Sequence, residues 1–501
     1  MPATLPICLV LHGSLAQVRT DLTRLEPSVT VVELRLDAIP DLDPSRAALE
    51  ALITSSPVPL IATCRPEREG GYWKSDEPSR LALLASAAHA GAAWVDVEAD
   101  AVADLPPLPG EVSVLVSAHP SGLTCAPDQR SAALSAQLAS LRHPRAQALK
   151  LALPCDDARD ALTLLRLASQ ETLPTLAIGM GFPGVATRIL GPAAGGPWTY
   201  AAPRQDSSLA AGQLTPSQLG GIAKDAQAWF GVIGAPVAHS RSPHLMNAVF
   251  ERLGLSAAYS WLETEDPGGL LDQADLDGRW AGFSITIPHK STLLERVELA
   301  PEAAAAGALN TLVRTARGWR GHNTDGLAVE LLLGDRVADD LRELPVALLG
   351  NGGAARAAAA VLRAAGAQVR VYTRHEARGR AFAAEFNLAW GGSLDALPTA
   401  ESSGSPRVIL NATSVGMTPD EDSSPVRAEV FGPEQVAYDL VYTPPETRFL
   451  QDAATRGAGT ISGVDHFLTQ AAAQLGLFWG DRTLDLPALD DPWWRRAARL
   501  D

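Results

Sequence analysis

The chain has 501 residues, 46% of them apolar and 20% charged, enough for about two to four cores of ordinary domain size. Its formal net charge of −16 repels phosphates, which argues against nucleic acid or an anionic membrane as the main partner and requires local arginines wherever an anionic substrate binds. The start MPATLPICLVLHG has no basic n-region and no later apolar run reaches spanning length, so a cytoplasmic protein is expected, with Cys8, Cys64, Cys125 and Cys155 as buried free thiols lacking metal-type spacing.

The first 226 residues alternate β-rich runs with helical stretches: PICLVLH (6–12), VTVVELRL (29–36), PLIATC (59–64), AWVDVE (93–98), VSVLVSAH (112–119), AQALKLAL (146–153), PTLAIGM (174–180) and PWTYAA (197–202). Eight such runs predict a (β/α)8 barrel. An open doubly wound sheet is the competing arrangement, because 183–197 leaves only a short helix between the last two runs. From Trp229 the pattern restarts as strand, loop and helix in FGVIGAPVAHSRSPHLMN, and mixed α/β sequence continues to about residue 330. After the polar GDRVADDLREL, residues 345–374 read as strand, Gly-rich turn, Ala-rich helix and strand, a βαβ nucleotide-binding unit. ESSGSP (401–406) reads as a surface loop. The expected organisation is a barrel over 1–226, a substrate-binding domain over 229–330, a Rossmann domain over 331–465, and a helical segment over 466–501 that returns to the substrate domain.

Of 41 basic residues only Lys74, Lys150, Lys224 and Lys290 are lysines. Arginine is thus the general cation of this chain, and a lysine raises a chemical question, since a desolvated amine forms imines or gives up a proton and a guanidinium does neither. Lys74 and Lys224 read as solvated cations. In a barrel, chemistry sits at the C-terminal ends of the strands. Glu33 and Arg35 close the second run, Arg65 the third, Glu98 the fourth and His119 the fifth, while Lys150 lies in the sixth. Alternation in ALKLAL turns Lys150 into the barrel, where poor solvation favours a nucleophilic amine. The alternative is a structural lysine paired to Glu33 or Glu98.

ELRLD (33–37), TCR with EGG (63–71), VSAH (116–119), LKLAL (149–153), the GM and TR of 179–188, and AAGQ (210–213) resemble, in order, the motifs of type I 3-dehydroquinate dehydratases over nearly all of residues 5–226. The resemblance implies an imine between Lys150 and the substrate ketone, which acidifies the neighbouring C–H. It implies that His119 takes that proton and returns one to the departing hydroxyl. It also implies a carboxylate clamp at Arg188 and hydroxyl contacts from Glu33, Arg35, Arg65 and Gln213. Two departures stand out: PSGLTCAP after His119 is longer than the family's short polar run, and Leu209, with Ser208 beside it, occupies a position where the family usually has Ser.

GAPVAHSRSPHLMN (234–247) resembles the opening motif of shikimate dehydrogenases, followed in order by FSITIPHK (283–290), GALNTLV (307–313), GHNTDG (321–326), GNGGAARA (350–357), NATSVGM (411–417), YDLVYTP (438–444) and HFLTQAA (466–472). The resemblance implies that Ser240 and Ser242 hold the substrate carboxylate, that Thr286, Asn310, Tyr442 and Gln470 bind hydroxyls or support the pocket, and that Lys290 and Asp325 form the central polar pair. The chemistry agrees. Hydride addition to a ketone puts negative charge on oxygen, which a lysine held by a carboxylate stabilises and protonates. A structural ion pair at a domain crevice is the alternative.

Gly350, Asn351, Gly352, Gly353, Ala354 and Ala355, between VALL and an Ala-rich helix, read as a pyrophosphate turn on a helix N-terminus. NAD-binding units place an acid at the end of the next strand; here stand Thr373, Arg374 and, one helical turn on, Arg378, which suit a 2′-phosphate and favour NADP(H). Thr413, Leu440 and Gly463 complete the cofactor-side candidates, and His466 stands where the family usually has Met.

The product of the first reaction, 3-dehydroshikimate, is the ketone that the second reduces to shikimate, so each assignment supports the other. Two readings stay open beside this one. The second half could be a quinate or broad-range polyol dehydrogenase, which Ser240 together with Ser242 disfavours. The chain could instead be a non-catalytic metabolite sensor, which the two lysines, His119 and Asp325 disfavour. The expected partners are small-molecule substrates, with neither nucleic acid nor membrane, and a homodimer is compatible with the sequence.

Overall fold

The computed structural model describes residues 5–123, 125, 126, 129–204, 206, 208–480 and 484–500. Thr124 and Pro127, in the atypical loop after His119, lie outside the described residues. The chain divides into two compact units, 1–280 and 281–501.

In the first unit each of the eight predicted runs forms a strand: β1 (Ile7–Leu11), β2 (Val29–Arg35), β3 (Leu60–Thr63), β4 (Trp94–Glu98), β5 (Ser113–Ala118), β6 (Ala148–Pro154), β7 (Thr175–Met180) and β8 (Thr199–Ala201). They are ordered β7-β6-β5-β4-β3-β2-β1-β8, and β1 pairs in parallel with both β2 and β8. A doubly wound sheet would reverse its strand order at a switch point. This ladder runs in sequence and brings the last strand back to the first, a nearly closed barrel. The short connection before β8 contains the six-residue helix Val185–Leu190. Inward positions alternate along each strand, so Val10, Ile61, Leu115, Ala148, Ala152, Ile178, Trp198 and Tyr200 share one buried cluster. Lys150 falls between Ala148 and Ala152 on that inward face.

The first unit continues with β9 (Ala228–Gly234), the helix Ser242–Arg252 and β10 (Ala257–Glu263), which pairs in parallel with β9. The next helix, Pro267–Asp275, packs on the barrel helix Ala158–Ala168. There Thr163 donates to Gln273 at 3.0 Å and Arg159 meets Asp266 at 2.7 Å.

In the second unit, β11 (Trp280–Ile285), β13 (Thr311–Thr315) and β14 (Gly318–His322) form an antiparallel ladder, and β12 (Glu298–Leu299) runs parallel to β14. Beyond it, β15 (Pro345–Leu349), β16 (Gln368–Tyr372), β17 (Ala389–Gly392), β18 (Val408–Asn411), β19 (Val436–Asp439) and β20 (Gly459–Ile461) make a parallel sheet in the order β17-β16-β15-β18-β19-β20. This is the 3-2-1-4-5-6 order of a dinucleotide fold. Val346, Leu348 and Val371 enter the core on one face, Ala347, Leu349 and Tyr372 on the other, as a sheet covered on both sides requires. No helix among the described residues is long and apolar enough to cross a membrane.

Candidate active sites

A cavity of about 540 Å³ opens at the C-terminal ends of the barrel strands, and its lining includes Glu33, Arg35, Arg65, His119, Lys150, Arg188 and Gln213. Lys150, 5% exposed, places Nζ 2.9 Å from Asp96 Oδ2 and 3.3 Å from Glu33 Oε1. The Tyr200 ring lies beneath the amine, 4.4 Å from Nζ to its centre. Glu98 does not pair with Lys150; it takes Arg65 at 2.5 Å and Arg80 at 2.6 Å. Asp96 is a residue that the sequence analysis did not single out, although Trp94, Asp96 and Glu98 alternate onto one face in AWVDVE. Burial alone would raise its carboxyl, but Arg65 and Lys150 outweigh that and hold it well below the usual carboxylate range. Arg65, read as a hydroxyl contact, commits Nη1 to Glu98 and Ser117 and Nη2 to Asp96. It therefore organises the buried carboxylates. Arg35 is likewise paired with Asp37 at 2.8 Å, and Glu33 accepts from Thr63 at 2.7 Å.

The EGG segment explains itself through packing. A Cβ on Gly71 would sit 2.0 Å from the Arg65 carbonyl oxygen, so only glycine lets the chain return over Arg65. That return holds the short turn Glu67–Glu69 against the barrel mouth. Glu69 Oε2 accepts from the His119 backbone N–H at 2.9 Å and lies 3.0 Å from His119 Nδ1. Burial, reinforced by Arg65 and Lys150, pushes the imidazole well below its ordinary range, so it is neutral near pH 7. Burial also pushes the Glu69 carboxyl up to about 7, against the pull of Arg65. With Nδ1–H directed to Glu69, Nε2 is left as the proton acceptor. Glu69, present in the quoted motif but given no role there, is the second residue that sequence reasoning missed.

Arg188 is 3% exposed and, among the described residues, has no carboxylate partner; its Nη2 lies 3.4 Å from the Ala211 carbonyl oxygen. Burial lowers it to about 10. A guanidinium buried without a counter-ion at the edge of a cavity favours an anion entering beside it. The Ser208 hydroxyl donates to Ala210 O at 2.6 Å and to Gln213 Oε1 at 3.1 Å, so it supports Gln213, while Leu209 lines the cavity.

In the second unit Lys290 lies on the turn His289–Ser291, set up by the Thr286 carbonyl accepting from the His289 N–H at 2.8 Å. Its amine pairs with Asp325 Oδ2. Asp325 stands in the first turn of the helix Thr324–Arg336, whose N-cap Asn323 accepts from Gly326 N–H, a position that favours a carboxylate. Asn310 Nδ2 donates to Asp325 Oδ1 at 2.8 Å and to Thr324 Oγ1 at 2.9 Å, and lies 3.4 Å from Gln470 Oε1. Burial, which would raise Asp325, is outweighed by Lys290 and then His466, and the carboxyl stays well below its usual range. His466 Nδ1 is 2.8 Å from the Tyr438 hydroxyl and Nε2 is 3.9 Å from Asp325 Oδ1. The substitution of His for Met thus adds a polar neighbour to the pair. The Tyr442 ring stacks on Phe467, 4.8 Å between centres. In the first unit Ser240 and Ser242 are both buried at the start of the helix Ser242–Arg252, with Ser242 N–H 3.4 Å from Ser240 Oγ.

The Gly-rich turn fits a dinucleotide. Gly350 has φ +107°, and a Cβ there would meet the Ala412 carbonyl oxygen at 3.0 Å. Gly352 caps the twelve-residue helix Gly353–Ala364 and faces open space, with Asn351, Ala354 and Ala355 around the same first turn. The turn follows β15, where the strand order reverses between β15 and β18. Gly353 lies so close to Lys290 that a Cβ would come within 2.9 Å of the lysine Cβ. Arg374 and Arg378 are exposed and, among the described residues, in no ion pair. Thr373 turns its hydroxyl to the His375 carbonyl at 3.0 Å and Thr413 gives its own to Asn411 at 2.7 Å. Leu440 N–H bonds to the Asn411 carbonyl at 3.0 Å. Gly463 is required by packing, since a Cβ would lie 2.0 Å from the Val441 carbonyl oxygen.

The sequence matches the family model of type I 3-dehydroquinase over residues 7–225 and that of the shikimate dehydrogenase substrate binding domain over residues 232–312. It is 31% identical over 498 residues to a chloroplastic bifunctional 3-dehydroquinate dehydratase/shikimate dehydrogenase of Arabidopsis thaliana, spanning 94% of this chain and 80% of that protein. A shikimate dehydrogenase (NADP(+)) of Methanothrix thermoacetophila is 38% identical over 263 residues, 51% of this chain and 94% of that one. Among solved structures, a shikimate 5-dehydrogenase of Thermus thermophilus in complex with NADP(H) and shikimate is 34% identical, covers 54% of this chain and 98% of its own, and superposes with a TM-score of 0.47.

Proposed function

This chain belongs to the family of bifunctional 3-dehydroquinate dehydratase/shikimate dehydrogenases, and we propose that Lys150 with His119 carries the dehydration and Lys290 with Asp325 the reduction. The enzyme dehydrates 3-dehydroquinate to 3-dehydroshikimate and reduces that ketone to shikimate with NADPH. One observation supports the dehydratase assignment above others: a buried lysine between two carboxylates and a neutral, Glu69-oriented histidine open on the same cavity.

In the proposed sequence the Lys150 amine attacks the ketone carbon and the carbonyl oxygen leaves as water, forming an iminium. His119 Nε2 removes the adjacent C–H proton, whose electrons flow into the iminium, and returns a proton to the hydroxyl that departs. Hydrolysis of the imine restores Lys150. Arg188 and Gln213 receive the carboxylate and a hydroxyl, and Glu33 and Asp96 hold the amine in place. In the second reaction Lys290 stabilises the oxygen on which charge develops and protonates it, and Asp325 and Asn310 hold the amine in place. The turn 350–355 would hold NADPH, which would serve there as the hydride donor, and Arg374 and Arg378 would meet its 2′-phosphate. Ser240 and Ser242 are assigned to the carboxylate and Thr286, Tyr442 and Gln470 to the hydroxyls on their motifs. The dehydratase is assigned to 1–226, the substrate domain to 229–330 with the helical segment from 466, and the nucleotide domain to 331–465. The chain is assigned to the cytoplasm.

The test is a two-step assay of the purified chain. With 3-dehydroquinate and NADPH together it should form shikimate and consume one NADPH for each substrate molecule. With quinate and NADP it should show no comparable oxidation. Dehydration without reduction, or preferred turnover of quinate, would overturn the reading.

A further inference from the structure

The turn that leads into the Arg188 helix also touches the first segment of the dehydrogenase half. Gly181, at φ +87°, donates its N–H to the Ala211 carbonyl at 3.0 Å, which ties the turn to the segment carrying Gln213. The next residue, Phe182, meets Trp261 in an edge-to-face contact, 6.2 Å between ring centres at 63°. Trp261 lies in β10 and is buried. Its indole N–H donates to the Ser240 carbonyl at 3.0 Å, and the His244 ring packs on it at 5.1 Å. Two polar contacts flank this stack: Thr264 donates to Asp157 at 2.8 Å and Arg159 meets Asp266 at 2.7 Å.

We infer that Phe182, a residue of the dehydratase barrel, is a positioning residue for the dehydrogenase, acting through Trp261 on the backbone of Ser240. The inference rests on the proposed role of Ser240 in holding the substrate carboxylate. An indole has two torsions and fills its site rigidly, so a ring wedged against it fixes where its N–H points. The Ser240 carbonyl is anchored by that N–H. The Ser240 hydroxyl belongs to the same residue, so a shift of the indole moves a group whose bond to a carboxylate depends on sub-ångström placement. The barrel therefore buttresses the carboxylate-binding loop of the second enzyme, a task that a free-standing dehydrogenase has to solve within its own fold.

The experiment uses the full chain and reads the dehydrogenase reaction alone, with added shikimate and NADP. Phe182→Ala should raise the KM for shikimate by about 2- to 10-fold, the range of one aromatic pair converted at 1.4 kcal/mol per factor of ten. The kcat and the KM for NADP should be unchanged, and Phe182→Tyr should restore the wild-type KM. Trp261→Phe keeps the ring but removes the donor, and should raise the KM for shikimate at least as much. An unchanged shikimate KM in both variants would overturn the inference, as would a parallel loss of NADP affinity and thermal stability, which marks general loosening. Ser240→Ala separates the two levels. If it leaves the shikimate KM unchanged, the carboxylate role of Ser240 falls and takes the inference with it. If it raises the KM while Phe182→Ala and Trp261→Phe do not, only the inference falls.

Discussion

Lys150 and Lys290 are two of only four lysines in the chain, and they differ in how many cations share each carboxylate. Asp96 accepts from Lys150 at 2.9 Å and from Arg65 at 2.9 Å. Asp325 pairs with Lys290, and its other oxygen meets the neutral Asn310 at 2.8 Å, with the His466 ring farther off at 3.9 Å. A proton leaving Lys150 therefore leaves Asp96 still paired with a guanidinium. A proton leaving Lys290 leaves Asp325 buried without a permanent cation. On the proposed assignment the first arrangement goes with the amine that attacks the ketone and the second with the ammonium that meets the developing alkoxide. The sharing of carboxylates, more than depth of burial, separates the surroundings of the two lysines.

The widest separation of the two sites comes from removing each lysine in turn. Lys150→Ala should reduce dehydration to background and leave reduction of added 3-dehydroshikimate nearly normal, and Lys290→Ala should do the reverse, as expected for sites that share no partner. Loss of both activities in either variant, measured with each substrate separately, would break the comparison. His119→Ala should slow dehydration by roughly 100-fold or more, the usual contribution of an acid/base group, while imine formation at Lys150 persists. An unimpaired rate would remove His119 from the mechanism.

A smaller effect is expected at the cofactor. Arg374→Ala should raise the KM for NADPH by roughly 10- to 100-fold, since charge-assisted bonds contribute about 1.5–3 kcal/mol each, and should barely change that for NADH. Equal weakening of both cofactors would show that Arg374 does not read the 2′-phosphate.

The smallest predicted effect sharpens the first site. Glu69, raised to about 7 by burial, is an anion only above that pH, and as an anion it accepts Nδ1–H and fixes the basic tautomer of His119. Dehydration should therefore fall as the pH drops below about 7. His119, pushed well below its ordinary range, stays neutral through that window, so the limb belongs to Glu69. Glu69→Gln should lower the plateau by roughly 10-fold or less, a fraction of a full acid/base contribution, and move the limb to lower pH. A limb that stays in place would assign it elsewhere.

Much of this was legible in the sequence because strand alternation is a local signal. ALKLAL is enough to put Lys150 on the inward face, and the scarcity of lysine marks it as chemical. The Gly-rich turn was legible because a strand, a glycine run and an Ala-rich helix follow one another directly, although the contacts that require Gly350 and Gly353, to Ala412 and to the Lys290 side chain, are tertiary. Asp96 carried the same alternation and could have been found. Glu69 could not, because it stands on a short turn whose place is fixed by Gly71 returning over Arg65, a tertiary contact without periodicity. The pairing of Arg65, just past β3, with Asp96 and Glu98 of β4 crosses from one strand to the next and was equally hidden. The restart at Trp229 reads as a boundary, yet the first compact unit runs to residue 280. The cause is the docking of the helix Pro267–Asp275 on the barrel through Arg159, Thr163 and their partners, which no local pattern announces.

The contrast between the two lysines can be tested by trapping. Borohydride added to the full chain with 3-dehydroquinate reduces any imine to a stable amine, and peptide mass spectrometry then locates it. One modified residue is expected, Lys150, with Lys290 unmodified even though it meets the ketone that the first reaction produces. Modification of Lys290, or full dehydration with no trapped adduct at Lys150, would contradict the assignment of the two lysines.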